Sequence, residues 1–364
     1  MKNKNKIRIL MISSSSALGG GVKHMFTLGE NLKNDFEIFY ALPYSDDFSE
    51  YLKINNHIKI SERKLSIKDI LKLYKFTKIK SIDILHAHGK GAGLITRIVN
   101  FFLHKKLIYT FHGIHCDFNN LFLKNLYILY ENLIGKIDTK KIFVSKSEMK
   151  FAKSLSINLN NSVVINNGVE NKIGIKLLNN KIKEDNLKKF KVISICRLET
   201  VKNINEILRI AKIIPHIDFT ILGDGQLWND LNHKIFIDKI ENVFLKGKKE
   251  NIFEYLYNSD VFLSTSLYEG LPLSVLEAMS IGLPIIASNV RGNSDTIVNE
   301  KTGYLYELNN TNMAANFIKI LEKDYHLKKQ MGRNALSKQR KDFSLEKMLK
   351  KYQNLYEEVF NKNN

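Results

Sequence analysis

The strongest constraint on the fold is a regular alternation of short apolar runs with helical stretches. In the first half of the chain the apolar runs read as buried strands: IRILMI, FEIFYAL, DILHAHG, KLIYTFHG, KKIFVS and SVVINNG. Stretches with helical character separate them, at residues 22–32, 67–79, 92–102 and 120–134. Strands that alternate with helices in this way predict a parallel, doubly wound sheet.

The same alternation restarts after a polar, lysine-rich segment. Residues 172–190 have no sustained apolar period, so we interpret them as an interdomain linker. Beyond them, KVISICR, IDFTILGDG, NVFLKG, VFLSTS and LPIIAS read as strands, and residues 204–214, 252–258 and 274–280 read as helices. The sequence therefore predicts an α/β protein with two Rossmann-like domains, residues 1–171 and 191–343.

The end of the chain, residues 344–364, predicts one more helix. Its apolar residues recur at helical spacing from Leu345 to Val359, and Ser344 is placed to cap the first turn. A terminal stripe of this kind usually docks on its own chain, and we expect it to pack back toward the N-terminal domain. A partner-binding helix is the alternative.

Cysteine content and the length of the apolar runs restrict the cellular setting. Cys116 and Cys196 are the only cysteines, too few for the disulfide framework of a secreted scaffold. The run from Ile7 to Ile12 is short and contains Arg8, so we read it as a strand and not as a signal peptide. No segment approaches the ~20 apolar residues that span a bilayer. We expect a cytoplasmic protein whose membrane contact would be peripheral, on the inner face of the cell membrane.

The formal net charge of +19 favours an anionic partner, either nucleic acid, a lipid surface or phosphorylated small molecules. Residues 61–80 mix lysines with apolar side chains, and residues 100–109 place two phenylalanines beside two lysines. Both stretches suit an anionic membrane surface. Surface helices whose lysines simply reach water fit them equally well. Because no recognition motif for nucleic acid accompanies the charge, we expect no nucleic-acid partner.

The residues that follow each predicted strand are candidate site residues, because ligands of open parallel sheets bind beyond the carboxyl ends of the strands. The glycines at 19–21 follow the first strand and open a helix, which presents N–H groups to a phosphate or an anionic acceptor, or forms a plain tight turn. Arg197 and Lys202 follow KVISIC with a spacing that would suit a diphosphate, or are surface charges. The glycines of GDGQL permit close approach of a ligand or simply turn the chain.

Four histidines also follow strands of the first half: His86, His88, His112 and His115, the last beside Cys116. Their spacing matches no zinc pattern, and the chain contains no Asp-x-Asp motif for a cation on a nucleotide diphosphate. We therefore expect a histidine positioned by loop geometry and no metal site.

Two glutamates, Glu269 and Glu277, stand eight positions apart in SLYEGLPLSVLEAMSIGLPIIAS. Glu269 precedes Gly270 and a proline and so belongs to a turn. Glu277 lies in the first turns of a helix that Ser274 is expected to open, on its exposed face. Taken alone, such a pair is more often solvated beside a helix start.

This segment fits a Glu-x7-Glu motif, and with it the chain resembles the retaining glycosyltransferases of family 4, which have the GT-B fold. Further segments follow the order of that family over nearly the whole chain: GGGVKH, DILHAHG, YTFHGIH, IFVSKSE, INNGVE, RLETVK, LGDGQL and EKTGYL. The resemblance implies two Rossmann-like domains whose parallel sheets face a central cleft. It also implies retaining transfer of a hexosyl or N-acetylhexosaminyl group from a nucleotide-sugar, without a metal or other cofactor.

The roles of the site residues come from the resemblance. Arg197 and Lys202 would neutralise the donor diphosphate, and Glu277 would hold the ribose hydroxyls. Glu269 would contact the donor sugar and phosphate, together with the backbone of Gly270, Leu271 and Leu273.

The resemblance also implies residues for the reacting sugar and the acceptor. His112 would meet a sugar hydroxyl near the anomeric carbon, so that His112 and Glu269 form the catalytic pair. Gly20 and Gly21 would border phosphate and acceptor. The expected donor is a UDP-sugar, and the expected acceptor is a glycan or a polyprenyl-diphosphate-linked glycan of bacterial surface polysaccharide.

The chain departs from the family pattern at a few positions. Cys196 replaces a small residue, Asn203 a common glycine and Asp295 a more frequent glutamate. Two rival functions stay open at this point. A sugar-nucleotide 2-epimerase has the same two-domain architecture but needs an extra acid/base set, and a basic nucleic-acid-binding protein needs a recognition motif that we do not find.

Overall fold

The structure is a computed structural model that describes residues 6–17, 19–45, 48, 56–114, 120–172 and 189–362. Two compact units make up the chain: residues 1–167 with 348–364, and residues 168–347. The predicted linker lies outside the described residues except at 172, 189 and 190. His115 and Cys116 also lie outside them.

The first unit contains a seven-stranded sheet in the order β3-β2-β1-β4-β5-β6-β7, with every pair parallel. Its inner strands are buried along almost their whole length, because helices cover both faces of a parallel sheet. The strands are β1 Arg8–Ser13, β2 Glu37–Leu42, β3 His57–Lys59, β4 Ile84–His88, β5 Lys106–Phe111, β6 Lys140–Phe143 and β7 Ser162–Val164.

The helices of the first unit, other than the first one, share one apolar core. Residues from each of the later helices pack with alternate strand residues such as Leu10, Leu85 and Leu107, which all point to the same side of the sheet. These helices therefore form one layer. The helices are α1 Gly20–Leu32, α2 Ile67–Ile79, α3 Lys90–Leu103, α4 Leu121–Leu133 and α5 Lys146–Ser154, and a 3₁₀ turn, Ile134–Ile137, follows α4.

The second unit contains a six-stranded parallel sheet in the order β10-β9-β8-β11-β12-β13. Its strands are β8 Lys191–Ile195, β9 Asp218–Leu222, β10 Val243–Leu245, β11 Val261–Ser264, β12 Ile285–Ser288 and β13 Gly303–Tyr306. Its helices are α6 Ile204–Ile213, α7 Trp228–Ile237, α8 Ile252–Tyr257, α9 Leu273–Ser280, α10 Asn293–Thr296, α11 Thr311–Lys323 and α12 Tyr325–Asp342, and a 3₁₀ turn, Thr200–Lys202, precedes α6.

The last helix, α13 Leu345–Asn361, belongs to the first unit from Met348 onward. Ser344 accepts a hydrogen bond from the Lys347 N–H at 3.4 Å, which confirms the predicted cap. Tyr352 and Tyr356 on this helix are completely buried. In the described part of the chain, no helix is both long enough and apolar enough to cross a bilayer.

The predicted α/β class with two Rossmann-like sheets is confirmed, and every predicted strand begins within two residues of its expected start. Two strands end earlier than expected: SVVINNG by four residues and IDFTILGDG by three. The structure adds elements that the apolar pattern did not show. Among them α12 is a long, polar helix with few buried side chains, so its periodicity is weak. The short strand β3 has no buried residue, and an alternating or continuous apolar run is absent there.

Candidate active site

In the second unit, Lys202 and Glu269 form an ion pair with a short contact of 2.5 Å between Nζ and Oε1. The same carboxylate oxygen accepts a hydrogen bond from the Ser266 hydroxyl at 2.7 Å. The two loops that carry the pair are also joined directly, because the Thr265 hydroxyl donates to the Lys202 carbonyl at 2.9 Å. The structure therefore brings these two predicted site residues together and fixes both of their loops.

Gly292 packs directly against the backbone and Cβ of Glu269. Its φ of +79° lies in the left-handed region, and a Cβ at this position would lie 2.7 Å from the Cβ of Glu269. The Glu269 N–H donates to the carbonyl of Arg291 at 3.2 Å, so the two backbones run side by side. Only glycine fits this close approach, which gives the VRGN segment a structural role beside the site.

Glu277 lies in the interior of the second unit. Its exposed fraction is 6%, and its neighbours Val275, Leu276 and Ala278 are fully buried in α9. The prediction that Glu277 occupies an exposed helix face is wrong, because α9 packs against β11, β12 and α12. A carboxylate at such a place is costly to bury, so the reading of Glu277 as a solvated surface charge is excluded.

The start of α9 also differs from the prediction. The helix begins at Leu273, with Pro272 at the N-cap position and no side-chain cap, so Ser274 is already its second residue. Proline is favoured near a helix start because its fixed φ suits the first turn. Gly270 and Leu271, for which backbone contacts to the donor are expected, are buried in the loop immediately before it, and the half-buried Leu273 opens the helix.

Arg197 follows β8 and is half-exposed, with its Nη1 atom 2.7 Å from Oε1 of Glu199. The segment that carries it is held by the GDG loop, where Leu198 N–H donates to the Asp224 carbonyl at 2.9 Å. Gly225 has a φ of +157°, and a Cβ there would lie within 3 Å of the Leu198 backbone. The glycines of this loop therefore admit a neighbouring backbone, a role that the sequence did not indicate.

Cys196, beside Arg197, is a partly buried free cysteine whose environment raises the pKa of its thiol to about 12. Burial is the main cause, and the nearby Glu269 and Glu199 carboxylates act in the same direction. A neutral thiol is a poor nucleophile, and Cys196 packs against the apolar core of the second unit.

In the first unit, His112 follows β5 and meets His88, the last residue of β4. Nδ1 of His88 and Nε2 of His112 are 3.0 Å apart. Their ring planes lie within 17° of each other while the centroids are 5.3 Å apart, so the rings meet edge to edge through this hydrogen bond. A Cβ on Gly21 would lie 3.1 Å from Cγ of His112, which places the start of α1 against the imidazole.

Three buried histidines around His112, namely His24, His86 and His88, are kept neutral. Burial, with added repulsion from His112 and His86, holds the pKa of His24 and of His88 well below the usual range. Burial lowers the pKa of His86 to about 3, and the nearby His112 adds to this effect. His86 is hydrogen-bonded on both ring nitrogens, to the Tyr356 hydroxyl and the Thr110 hydroxyl, each at 2.8 Å. His112 therefore faces uncharged imidazoles.

His24, His88 and His112 are the one group within the described ranges whose side chains could together hold a metal ion. Their ligand atoms lie within 4.8 Å of one another. However, the nitrogens of His88 and His112 point at each other, whereas two metal ligands point at a third atom. A metal bound through these two nitrogens would have to break the 3.0 Å hydrogen bond between them, so this pair of atoms fits a hydrogen-bonded cluster better than a metal centre.

Sequence reasoning missed several residues that shape these sites: His24, Ser266, Gly292 and Tyr356. His24 stands in the GGGVKH segment, but it occupies a core-facing position of α1 and is not adjacent to a strand end. Tyr356 approaches His86 from α13, 270 positions along the chain. Contacts at such sequence separation leave no local pattern.

Two family models match consecutive parts of the chain. One described as Glycosyltransferase Family 4 matches residues 18–172, and one described as Glycosyl transferases group 1 matches residues 177–338. Each unit of the fold therefore corresponds to one of these models.

The chain is similar to curated proteins over most of its length. It is 31% identical over 308 residues to the UDP-Gal:alpha-D-GlcNAc-diphosphoundecaprenol alpha-1,3-galactosyltransferase of Escherichia coli, covering 80% of this chain and 79% of that enzyme. It is 25% identical to the capsular polysaccharide biosynthesis glycosyltransferase CapM of Staphylococcus aureus, covering 98% of this chain and 97% of that protein.

Solved structures share the fold. A crystal structure of Anabaena HepE in complex with UDP and glucose matches with a TM-score of 0.83 at 16% identity, covering 96% of this chain and 99% of that chain. Sucrose-phosphate synthase from Thermosynechococcus elongatus matches with a TM-score of 0.83 at 18% identity, covering 98% and 99%.

Proposed function

This chain belongs to the glycosyltransferases of family 4, and we propose that it transfers a sugar from a UDP-sugar to a polyprenyl-diphosphate-linked glycan during bacterial surface polysaccharide synthesis. The chain is a glycosyltransferase with the GT-B fold, as the resemblance of its motifs implied. The observation that carries the proposal is the Lys202–Glu269 pair, held beside the GLP turn of the Glu-x7-Glu motif.

The donor and acceptor classes are supported by the relatives. The Escherichia coli relative is named for a UDP-galactose donor and a diphosphoundecaprenol-linked acceptor, and HepE was crystallised with UDP and glucose. The Staphylococcus aureus relative is named for capsular polysaccharide. A lipid-linked acceptor would place the work of this enzyme at the inner face of the cell membrane.

In the proposed mechanism the cations of the second unit stabilise the leaving diphosphate. Lys202 is already fixed by Glu269, and the half-exposed Arg197 is held only by a surface pair with Glu199, which a phosphate can replace at little cost. As the bond from the anomeric carbon to the phosphate oxygen breaks, negative charge develops on the diphosphate and these cations stabilise it. Their stabilisation of the transition state should be comparable to the ~3–4 kcal/mol of a preorganised hydrogen-bond donor.

The remaining roles follow the two rings of the donor. Glu277 holds the ribose hydroxyls, and Glu269 holds the sugar, since a carboxylate accepts hydrogen bonds from paired hydroxyls. His112 meets a sugar hydroxyl near the anomeric carbon. The acceptor oxygen attacks from the face that the diphosphate leaves, the departing phosphate takes the acceptor proton, and the configuration is retained without a carboxylate nucleophile.

We propose transfer over the rival 2-epimerase reaction. An epimerase needs an additional acid/base set, whereas the glycine-rich first loop and the Glu-x7-Glu motif favour transfer. The relatives described above are glycosyltransferases by name.

The test is a screen of nucleotide-sugars with a short polyprenyl-diphosphate-linked glycan, followed by mass spectrometry and NMR of the product. We expect one UDP-sugar to give an acceptor enlarged by one sugar in the axial, retained linkage. The Lys202→Gln variant should reduce turnover at least tenfold, since it removes a charge-assisted contact. An epimerised nucleotide-sugar with an unchanged acceptor would reject the proposal, and an equatorial linkage would reject retention.

A further inference from the structure

Helix α4 of the first unit carries an apolar stripe that faces away from the core. Phe122, Leu126, Leu129 and Leu133 are 74%, 51%, 53% and 54% exposed. They recur at the spacing that places residues on one side of a helix. The opposite side of α4 is packed, with Tyr127 and Glu131 buried. Isolated exposed apolar side chains are normal on a protein surface, but a stripe of four large ones on one side of a helix is not.

The neighbouring helices continue this apolar character. On α2, Ile67, Leu71 and Ile79 are exposed, and at the end of α3, Phe101 and Phe102 are exposed as well. Because α2, α3 and α4 lie in one layer over the same side of the sheet, their outward sides form a common surface. We refer to the outward side of these three helices and the following 3₁₀ turn as the layer surface.

All exposed charged side chains of the layer surface are positive. Its only carboxylates, Asp69 and Glu131, are buried, and they serve internal contacts with the Ser61 N–H and with Arg97. The lysines of the same elements are exposed: Lys68, Lys72, Lys75, Lys78, Lys90 and Lys136. Lys90 lies beside α4, with its Nζ atom 4.7 Å from the centre of the Tyr127 ring. Apolar side chains are therefore combined with a purely positive exposed charge.

We propose that the layer surface docks on an anionic lipid bilayer, with the α4 stripe inserted at the level of the headgroups. Apolar side chains flanked by lysines are the combination that binds a charged membrane interface without crossing it. A second copy of the chain fits poorly, because a symmetric contact would bring like charges together. The inference deepens the proposed function, on which it rests, since a lipid-linked acceptor lies in such a bilayer.

The surface differs in part from the one that the sequence suggested. Residues 61–80 and 100–109 contribute through α2 and the end of α3, as expected of basic amphipathic stretches. The α4 stripe was hidden, because LFLKNLYILYENL reads equally as a core helix. Only the structure separates its exposed leucines from its buried tyrosine and glutamate.

Co-sedimentation of the full chain with lipid vesicles tests the inference. The vesicles contain phosphatidylcholine alone or with about one third phosphatidylglycerol. We expect strong binding to the anionic vesicles only, weakened by salt. The Leu126→Ser/Leu129→Ser double variant should lose at least tenfold in affinity. The matched control, Phe236→Ser/Ile237→Ser, removes an even more exposed apolar pair from the second unit and should bind like the parent.

The charge is tested in the same way. Lys72→Gln/Lys75→Gln should weaken binding by about fivefold for each lysine, whereas the exposed control pair Lys301→Gln/Lys323→Gln should not. Circular dichroism verifies that every variant is folded. Equal binding by the parent and the Leu126/Leu129 variant overturns the inference. The inference is also overturned if sedimentation velocity shows that the parent is a dimer and that only the Leu126/Leu129 variant is a monomer. The layer surface would then be covered by a second copy of the chain.

The outcomes separate the inference from the proposed function. A parent enzyme that glycosylates a water-soluble acceptor analogue but ignores anionic vesicles refutes the docking alone. A parent enzyme that binds the vesicles through α4 but enlarges no acceptor supports the docking and refutes the proposed function. The α4 variants touch no proposed site residue, so their turnover of the soluble analogue should equal that of the parent.

Discussion

At the scale of single residues, the two glutamates of the motif differ in their surroundings and should differ in their effect. Glu277 is buried, whereas Glu269 is joined to Lys202 and Ser266. We expect Glu277→Gln to weaken the binding of free UDP and of the sugar donor alike. A ribose contact is similar in the ground state and the transition state, so its loss should raise KM more than it lowers kcat. Glu269→Gln should lower kcat by roughly ten- to a hundredfold with UDP affinity near that of the parent.

Calorimetry of UDP binding beside steady-state kinetics measures both effects. His112→Ala should behave like Glu269→Gln, since both act at the sugar. Ser274→Ala, one turn from Glu277 and free of any predicted contact with the donor, is a suitable control. The donor orientation is refuted when Glu269→Gln loses UDP affinity and Glu277→Gln keeps it.

The cations of the site lead to a second prediction. Because Arg197 and Lys202 supply the counter-charge for the diphosphate, we expect a chelator to change turnover by less than about twofold. Steady-state rates with and without chelator, and after readdition of magnesium or manganese, give the answer. Loss of turnover that either ion restores would contradict this prediction, and the Lys202→Gln variant should not be rescued by either ion.

The sequence predicted the identity of these residues better than their environment. Strand ends and the spaced glutamates proposed Arg197, Lys202, Glu269, Glu277 and His112 as candidates, and the structure brings Lys202 and Glu269 together. The burial of Glu277 was not predicted, because the sequence of a single helical turn does not reveal which neighbouring elements cover it. The contact of Gly292 with Glu269 escaped too, since it joins backbones 23 positions apart in the chain.

At the scale of elements, a buried ion cluster joins α3 to α4 and to the strand that follows. Arg97 on α3 contacts Asp138 at 2.6 Å and Glu131 at 2.9 Å, and all three side chains are at most 1% exposed. Burial acts to lower the pKa of Arg97, but the two carboxylates outweigh it and raise the pKa. Burial also raises the pKa of Asp138, against the hydrogen bonds from Arg97. Arg97 itself stays charged, and its contact with Glu131 ties α4, with its exposed stripe, to α3.

Arg97→Met should lower the free energy of unfolding by about 3–5 kcal/mol, because it leaves two carboxylates buried without a cation. Arg8→Met is the matched control. Its pair with Glu37 has the same 2.9 Å distance but side chains 39% and 40% exposed, so its loss should cost about 1 kcal/mol or less. Urea unfolding followed by circular dichroism measures both, and equal losses would show that burial does not decide the strength of these pairs.

The sequence predicts most elements of the sheets but fewer of the helices that lie on the surface. Buried parallel strands are mostly apolar on both faces and stand out, as IRILMI and LPIIAS do. Helix α2 was found with its bounds because Leu73 and Thr77 face the core among lysines. Helix α12 was not found, because its polar sequence hides the positions of Met331 and Leu336.

At the scale of the whole molecule, the neutral histidines make stability depend on pH. The pKa of His86 is about 3 in the folded chain and 6.5 in its ordinary state, so between these values the unfolded chain binds a proton that the folded chain excludes. The free energy of unfolding therefore falls as the pH drops below 6.5. At about pH 5.5, His86 alone should account for a loss of about 1.4 kcal/mol.

Urea unfolding at about pH 7.5 and about pH 5.5 measures this loss. His24 and His88 shift in the same direction and should add to it. His86→Gln can keep contacts with Tyr356 and Thr110 but does not titrate, so its loss between the two pH values should be smaller than that of the parent. An unchanged pH dependence in this variant would show that His86 does not exclude the proton.

The position of α13 has a consequence for synthesis on the ribosome. Residues 348–361 complete the first unit, and Tyr352 and Tyr356 cover its histidines, yet residues 168–347 are translated in between. The nascent sheet of the first unit must therefore wait, with His86 and its neighbours uncovered, until the second unit has emerged. Refolding of the finished chain need not follow this order. A stalled chain that ends before Met348 would expose the surface that Tyr352 and Tyr356 cover, and chaperones could bind there.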